Sequence, residues 1–386
     1  MHMVIMDRME LGEIETVRER ASALAAELEP LAAEADASSE LHPGVLAAVT
    51  ASGLSALTVP AAWGGASEKV DPLAVCVVRE VLMGTSSHAD SLFALQGIGS
   101  HAIALGGSDE QREEWLPRVA SLEAIAALAM TEPGAGSDLK ALTTTATADG
   151  DGFVIDGRKS FISNAGVADF YTVLAREGEQ YSFFLVPANS IGLTVEPLPP
   201  LISPHVIGDL GLEGVRVGGG ARIGAAGEGF RLALSTLATF RISVAGAAVG
   251  LADAALREAA RHAGERVQFG RPLAELGPVA ALLADSWAEV ESTRLLSYEV
   301  ARAAREDPLA NLDRSSLAKL AATEAASRVV DRCVQVMGRW GLVDGSKVEK
   351  LYRQARPLRI YEGASEVLRL GIARRLVAEV GAGSQR

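Results

Sequence analysis

Near the C-terminus, the stretch Arg359-Ile360-Tyr361-Glu362-Gly363-Ala364-Ser365-Glu366 places a carboxylate between an aromatic residue and a glycine. A carboxylate held in a dry pocket gains proton affinity and can serve as a general base. The same pattern also fits the solvated entrance of the helix-like run that follows. The stretch alone leaves both readings open.

Three other stretches carry side chains suited to ligands. In Ala127–Leu139 (ALAMTEPGAGSDL), a strand-like run ends at Thr131, and Pro133-Gly134-Ala135-Gly136 turns the chain before Ser137 and Asp138. Such a loop can bring backbone N–H groups and small hydroxyls close to a ligand rich in acceptors. It matches neither the dinucleotide fingerprint nor the Walker loop, and by composition alone it is a plain connection. In Gly157–Ala175 (GRKSFISNAGVADFYTVLA), Phe161, Ser163 and Asn164 leave a strand before a small-residue turn. A Phe in that place is more often core than cofactor wall. In Glu265–Leu273 (ERVQFGRPL), a helix is expected to end in Arg-x-x-Phe-Gly, with Pro272 stopping it. Arg266 there can bind a phosphate or merely complement the helix dipole.

The elements that must position these residues read as helix, then β, then helix. The first third holds Ala/Leu/Glu-rich helical patterns, including ETVRERASALAAELEPLAAEADA and the segments around Val77–Met83 and Glu110–Val119. Turn signals at His42-Pro43-Gly44 and Trp63-Gly64-Gly65 separate them. From Thr143 to Pro200, strand-like runs FVIDG, YTVLA and YSFFLVP alternate with Gly-containing turns, predicting antiparallel hairpins. Helices return after Gly229. One apolar stripe runs Phe230, Leu234, Leu237, Arg241, Val244, Ala248, Leu251, Ala255. Its guanidinium must find an anion or several acceptors, or snorkel at a helix seam. Helices around Ala281–Arg305 and Leu317–Met337 are expected to bundle with it. These changes of character divide the chain into an all-α domain over 1–126, a β domain over 127–225 and an α bundle over 226–386, an α+β protein.

Bulk properties narrow the function. The 386 residues are 48% hydrophobic and 22% charged, ordinary for a globular protein with a large core. A net charge of −13 argues against a nucleic-acid-binding face. No apolar run is expected to span a bilayer, no signal-peptide pattern is present, and a cytoplasmic location without membrane insertion follows as the expectation. Cys76 and Cys333 are read as buried thiols rather than a disulfide. The six His have no metal-ligand spacing, so no metal is expected.

Taken together and in order, VPAAWGG, GSDEQREEWLP, TEPGAGSDL, GRKSFISNAG, RVQFGRPL, QVMGRWGL and LYRQARPLRIYEGASEVLR resemble the acyl-CoA dehydrogenase family over about Arg18 to Arg374. The resemblance implies an FAD enzyme with helical, β and four-helix-bundle domains, the flavin lying between the last two. It also implies a homo-oligomer, at least a dimer and usually a tetramer, in which a neighbouring subunit completes the FAD site. Met130 and Thr131 match residues at the pyrimidine end of the flavin. Ser163 matches the hydroxyl near flavin N5, and Phe161 stands where the family usually has Trp. Arg266, Phe269 and Gln335 match contacts to a partner subunit's FAD, and Arg339, Ala364 and Glu366 fall on the adenosine side. Ser137, Leu237, Arg241, Tyr361 and Gly363 match substrate-lining positions. Glu362 matches the base that removes the proton α to a thioester carbonyl while the β-hydride leaves for flavin N5. Its backbone N–H, with a flavin ribityl hydroxyl, polarises that carbonyl. Some members carry the base one residue before the position of Arg241, but Phe240 cannot accept a proton.

The chain departs from the family pattern in places. Ala238 replaces an Asp near the pantetheine arm, Arg339 a Gly, Ala364 a Thr and Gly277 a Gln. The missing Asp leaves both CoA and a carrier protein open as the thioester carrier. LISPHVIGDLGLEGV replaces the usual Gly-Arg-Ser-like segment, and a similar Pro-His stretch occurs in members acting on alicyclic thioesters. An electron-transfer flavoprotein is the implied acceptor. A flavin oxidase or monooxygenase, or a non-catalytic scaffold, are the competing readings.

Overall fold

The computed structural model describes residues 8–383. The first seven residues, part of the segment read as lacking a signal peptide, and the last three lie outside the described residues. Ten α-helices are present: α1 Arg8–Ala35, α2 Pro43–Ser52, α3 Pro72–Met83, α4 Ser87–Gly106, α5 Asp109–Ala120, α6 Gly229–Glu265, α7 Gly277–Ala304, α8 Leu312–Met337, α9 Lys347–Leu358 and α10 Ser365–Gly383. Between α5 and α6 come the strands β1 Ala126–Ala129, β2 Thr145–Asp149, β3 Gly152–Ser163, β4 Phe170–Glu177, β5 Gln180–Pro187, β6 Leu193–Pro197, β7 Ile207–Gly218 and β8 Arg222–Ile223.

Local chemistry explains several boundaries. His42-Pro43-Gly44, expected as a turn, is the start of α2. The His42 ring Nδ1 accepts the Val45 N–H at 3.2 Å, and Pro43 takes the first helical position, where no N–H is needed. Ser108 and Gln111 form a reciprocal capping box on α5. After α6 the expected helical stretch at Arg266 is instead a two-residue hairpin. Strands β9 Val267–Gln268 and β10 Arg271–Pro272 pair across Phe269 and Gly270, whose φ angles of 52° and 78° are those of a type I′ turn.

The chain forms two compact units. Among the described residues, the first comprises 8–33, 72–90 and 241–383 and is helical. In it α7 packs on α8, α8 on α9 and α10, and α3 on α7. The second comprises Glu34–Asp71 and Ser91–Phe240 and contains the eight-stranded sheet, ordered β6-β7-β3-β2-β4-β5-β8 with β1 on β4. Most pairings are antiparallel as the hairpins predict, but β4 pairs in parallel with both β1 and β2. One core of this unit joins Trp115, Leu116 and Phe170 to Phe183 and Leu232; a second gathers Ile155, Tyr171, Phe184 and Leu210.

Two expectations need correction. The 37-residue α6 is long and apolar enough to cross a membrane, contrary to the sequence reading, but 78% of its most apolar window is buried inside the protein, as in a core helix. Its apolar stripe is buried from Val244 to Ala255, whereas Leu234 is 47% exposed.

Candidate active site

In the helical unit, α9 ends at Leu358 and α10 begins at Ser365, so residues 359–364 form the turn that carries Glu362. The turn closes on itself through Tyr361 N–H to Pro357 O at 3.2 Å and Ser365 N–H to Arg359 O at 3.1 Å. Glu362 has φ of 50°, a conformation that costs a non-glycine residue energy and marks it for scrutiny. Two cations tie down the neighbouring carbonyls. Arg241 Nε on α6 donates to Glu362 O at 2.9 Å, and Lys319 Nζ on α8 donates to Gly363 O at 2.8 Å. Arg241 also donates to Ser316 Oγ at 3.0 Å. The apolar-stripe guanidinium thus finds several acceptors rather than snorkelling. A Cβ on Gly363 would stand 2.8 Å from Leu368 Cδ2, and the φ of 105° is itself one that glycine tolerates best.

The Glu362 side chain is only 13% exposed, and its Oε2 is buried without a hydrogen-bond partner. Oε1 lies 4.0 Å from Nη1 of Arg79 on α3. Arg79 is buried and held in a bidentate fork by Asp90 on α4, with Nε–Oδ1 at 2.9 Å and Nη2–Oδ2 at 2.7 Å. Its Nη1 also donates to Ser243 Oγ at 3.1 Å. Burial pushes the Glu362 carboxyl above its ordinary range; Arg79, Arg241 and Lys319 pull it back, in that order, and Asp90 adds to the rise. Burial also lowers Lys319, to about 8.

Arg79 reaches this place because α3 crosses α6 at very short range. A Cβ on Gly246 would collide with the Cys76 carbonyl, and one on Gly250 with the Glu80 carbonyl. Two glycines four apart on α6 therefore let the backbones meet, which seats Arg79 beside Ser243. Glu80, the next residue, faces elsewhere, as adjacent helix positions must; it pairs with Arg294 at 3.0 Å. A separate cavity of about 420 Å³ in this unit is ringed by Arg18, Glu80, Asp253, Arg257, Arg261 and Lys347 and does not include Glu362.

In the sheet unit, the loop after β1 is organised by Glu132. Its carboxylate accepts from Thr143 N–H and Oγ1 at 2.7 and 2.8 Å, from Thr144 N–H at 2.9 Å and from Lys159 Nζ at 2.9 Å. Burial alone would raise this carboxyl, but the threonine and lysine donors outweigh it and hold it down at about 2. Lys159 also donates to Met130 O at 3.1 Å, and Ser160 N–H to Thr131 O at 2.9 Å, so Met130 and Thr131 are pinned to β3. Beyond them Ser137 is exposed.

The register of β3 against β7 slips between Lys159 and Ile162, so Ser160 and Phe161 together oppose Asp209. This is a β-bulge. Asp209 stabilises it by accepting from Ser160 Oγ at 3.0 Å and Phe161 N–H at 3.1 Å. Phe161 takes a φ of 57° and stands 58% exposed, so it is no core residue. Two residues on, Ser163 Oγ is 2.8 Å from His205 Nε2, in the Pro-His stretch.

Leu237 is half-buried on α6. Arg266 follows α6 half-buried, and Phe269 is 91% exposed at the hairpin tip. Gln335 is exposed near the end of α8, and Arg339 stacks over the Trp340 ring at 5.0 Å. Tyr361 is 37% exposed; Ala364 is half-buried and accepts the Leu368 N–H at 3.0 Å, and the Glu366 side chain is 76% exposed. Cys76 and Cys333 are buried thiols, pushed up to about 12 by burial.

The sequence does not by itself single out Arg79, Asp90, Lys319, Glu132, Lys159 or Asp209, whereas His205 lies in the Pro-His stretch already noted. For Arg79 a partial signal is present, since a charge inside the apolar run PLAVCVVREVLM poses the same question as Arg241.

The residues present suit a flavin dinucleotide. Four of the five described non-glycine residues with left-handed backbone, Phe161, Asn164, Phe269 and Glu362, fall in the stretches singled out for chemistry. Gly134 and Gly136 have no positive φ, and a Cβ on either would meet nothing, so the protein's own packing does not require glycine there. A loop kept bare beside pinned backbone has room for a ligand to approach.

Comparison with known proteins agrees. Residues 12–123, 127–208 and 227–377 match the family descriptions "Acyl-CoA dehydrogenase, N-terminal domain", "middle domain" and "C-terminal domain". The chain is 35% identical over 371 residues to a cyclohexane-1-carbonyl-CoA dehydrogenase of Geobacter metallireducens, covering 95% of this chain and 96% of the relative. The solved butyryl-CoA dehydrogenase of Megasphaera elsdenii superposes with a TM-score of 0.91 at 26% identity, covering 98% of this chain and 100% of that one. An acyl-CoA dehydrogenase complexed with FAD from Bacillus anthracis superposes with a TM-score of 0.88 at 25% identity, covering 97% and 68%.

Proposed function

Because this chain belongs to the acyl-CoA dehydrogenase family, we propose that Glu362 is the base that removes the α-proton of its acyl thioester substrate. The enzyme is an FAD-dependent oxidoreductase that dehydrogenates acyl-CoA. The observation that carries the Glu362 reading is its buried carboxylate with an unpartnered Oε2 on a strained turn.

A free Glu with a pKa of about 4.3 is a poor base for a thioester α-proton. Burial raises the proton affinity of Glu362, which makes it a stronger base. Its main-chain N–H supports the thioester oxygen as negative charge develops there, an oxyanion-type role. Arg241 and Lys319 hold the two carbonyls of the turn, so the base and the donor keep a fixed relation. Gly363 leaves the substrate room to pass the backbone beside Tyr361; Ser137 and Leu237 would be further substrate contacts. FAD, when bound, supplies the acceptor for the hydride that leaves the β carbon.

Met130, Thr131, Phe161 and Ser163 would hold the flavin. Arg266, Phe269, Gln335, Arg339, Ala364 and Glu366 would hold its pyrophosphate and adenosine side, in part from a neighbouring subunit of a homo-oligomer, usually a tetramer. We further propose three domains divided at 126/127 and 225/226, an electron-transfer flavoprotein as acceptor and a cytoplasmic site of action. The likeness to a cyclohexane-1-carbonyl-CoA dehydrogenase, together with the Pro-His stretch at Ser163, favours an alicyclic acyl group.

The test is Glu362→Gln. The variant is expected to stay yellow with FAD and bind thioester, yet lose flavin bleaching. Normal bleaching would remove Glu362 from the chemistry. A panel of straight, branched, alicyclic and aryl-propionyl thioesters with the parent enzyme then ranks the acyl group, and rapid reoxidation by oxygen would turn the reading to an oxidase.

A further inference from the structure

Arg79 is the cation nearest the Glu362 carboxylate, and it is not free to leave. Asp90 grips it through two parallel hydrogen bonds, Ser243 takes a third N–H, and the crossing of α3 over Gly246 and Gly250 fixes its helix. A planar guanidinium in such a fork keeps one orientation, which a lysine ammonium would not. Nη1 stops at 4.0 Å from Glu362 Oε1, beyond hydrogen-bond range but well within reach of its charge. The carboxylate therefore feels the cation without sharing a proton with it.

We propose that Arg79, aimed by Asp90, is a positioning residue that sets the acid limit below which Glu362 ceases to act as a base. The inference rests on the reading of Glu362 as the base. Buried with Oε2 unpartnered, an isolated carboxylate would hold its proton more tightly than in water, and a protonated carboxyl cannot act as a base. Arg79 opposes that by stabilising the ionised form, while Asp90 both orients Arg79 and softens its charge.

Every charged group facing Glu362 has a place in this balance. Arg241 from α6 and Lys319 from α8 also favour the anion, yet both are spent on carbonyls of the turn. Glu324 of α8 and Glu366 of α10 act on Lys319. Tyr361, the adjacent residue, lies beside Arg79. Only the Arg79–Asp90 pair couples to the carboxylate directly without holding its backbone.

Two substitutions with opposite consequences test this in the FAD-loaded enzyme. Arg79→Gln removes the cation, and the acid limb of kcat/KM against pH is expected to move up by about one pH unit or more. Asp90→Asn leaves the guanidinium unneutralised, and the same limb is expected to move down. Because either change strands a buried charge, the double variant Arg79→Gln/Asp90→Asn, which strands none, is measured beside them and is expected to move up. The Glu362 carboxyl stretch in infrared difference spectra, identified by its loss in Glu362→Gln, gives the titration without turnover. Limbs that stay within 0.3 pH unit of the parent, or that all move the same way, overturn the proposal. Should Glu362→Gln itself bleach normally, the base assignment fails instead, and the two failures are told apart by that one variant.

Discussion

Glu132 and Glu362 are both buried carboxylates beside a cation, and they are prepared for opposite lives. Glu132 receives four hydrogen bonds, two from backbone N–H groups, one from a hydroxyl and one from Lys159, and its pKa is held down at about 2. Glu362 has one oxygen with no partner and a cation that stops at 4.0 Å, and its pKa is raised. Burial acts upward on both; the number of donors decides the outcome. A saturated carboxylate fastens a loop, and a starved one stays ready to take a proton.

The largest expected effect tests the starved member. Glu362→Gln keeps the shape and removes the acceptor, so the rate of flavin reduction should fall by roughly 10²–10⁴-fold, the usual worth of a general base. Its far-ultraviolet dichroism should be unchanged. A smaller loss would mean that the two carboxylates are less different than their donors imply.

Next comes the saturated member. Lys159→Met leaves Glu132 with a buried negative charge and no counter-ion, and should cost about 3–5 kcal/mol in denaturant unfolding. Loss of bound FAD should accompany it, since Lys159 also holds the Met130 carbonyl. Full stability in this variant would show that the backbone donors alone suffice.

The comparison also predicts stability trends of opposite sign with pH. The native pKa of Glu132 lies below its ordinary 4.5, so its contribution is complete above that value and is lost as pH falls toward 2. Glu362 has a raised native pKa, so its contribution is present at low pH and is lost as pH rises through that value. Glu132→Gln should thus melt lower than the parent at neutral pH, with the deficit shrinking in acid. Glu362→Gln should melt higher at neutral pH, with the gain shrinking in acid. Parallel trends in the two Tm series would erase the distinction.

The smallest effect probes redundancy. Thr143→Val removes one donor of four, and about 1–2 kcal/mol is expected in the same unfolding measurement. A much larger loss would mean that the hydroxyl, rather than the set, secures the loop.

Much of this was legible in the sequence because certain residues are odd where they stand. A carboxylate before glycine flagged Glu362, a guanidinium on an apolar stripe flagged Arg241, and both meet in one hydrogen bond. Phe161 was ambiguous because composition does not reveal a bulge; only the two-to-one register against Asp209 turns it outward. Arg79 is as odd on its apolar helix as Arg241 is on α6, but its partner Asp90 is legible only from the encounter of α3 with α4, which neither segment encodes alone. The hairpin at Phe269 is not legible in the sequence because a lone Phe-Gly gives a weak I′ signal next to the usual Asn-Gly.

The glycines of the α3–α6 crossing bear on how the enzyme can be improved. Replacing helical Gly by Ala is a routine way to gain about 1 kcal/mol, and a stabilising library would include Gly246 and Gly250 by default. Here one added methyl meets the opposing backbone, and the helix that would yield carries Arg79. An engineer following the general rule would trade catalytic tuning for thermal tolerance at two positions that no active-site map includes.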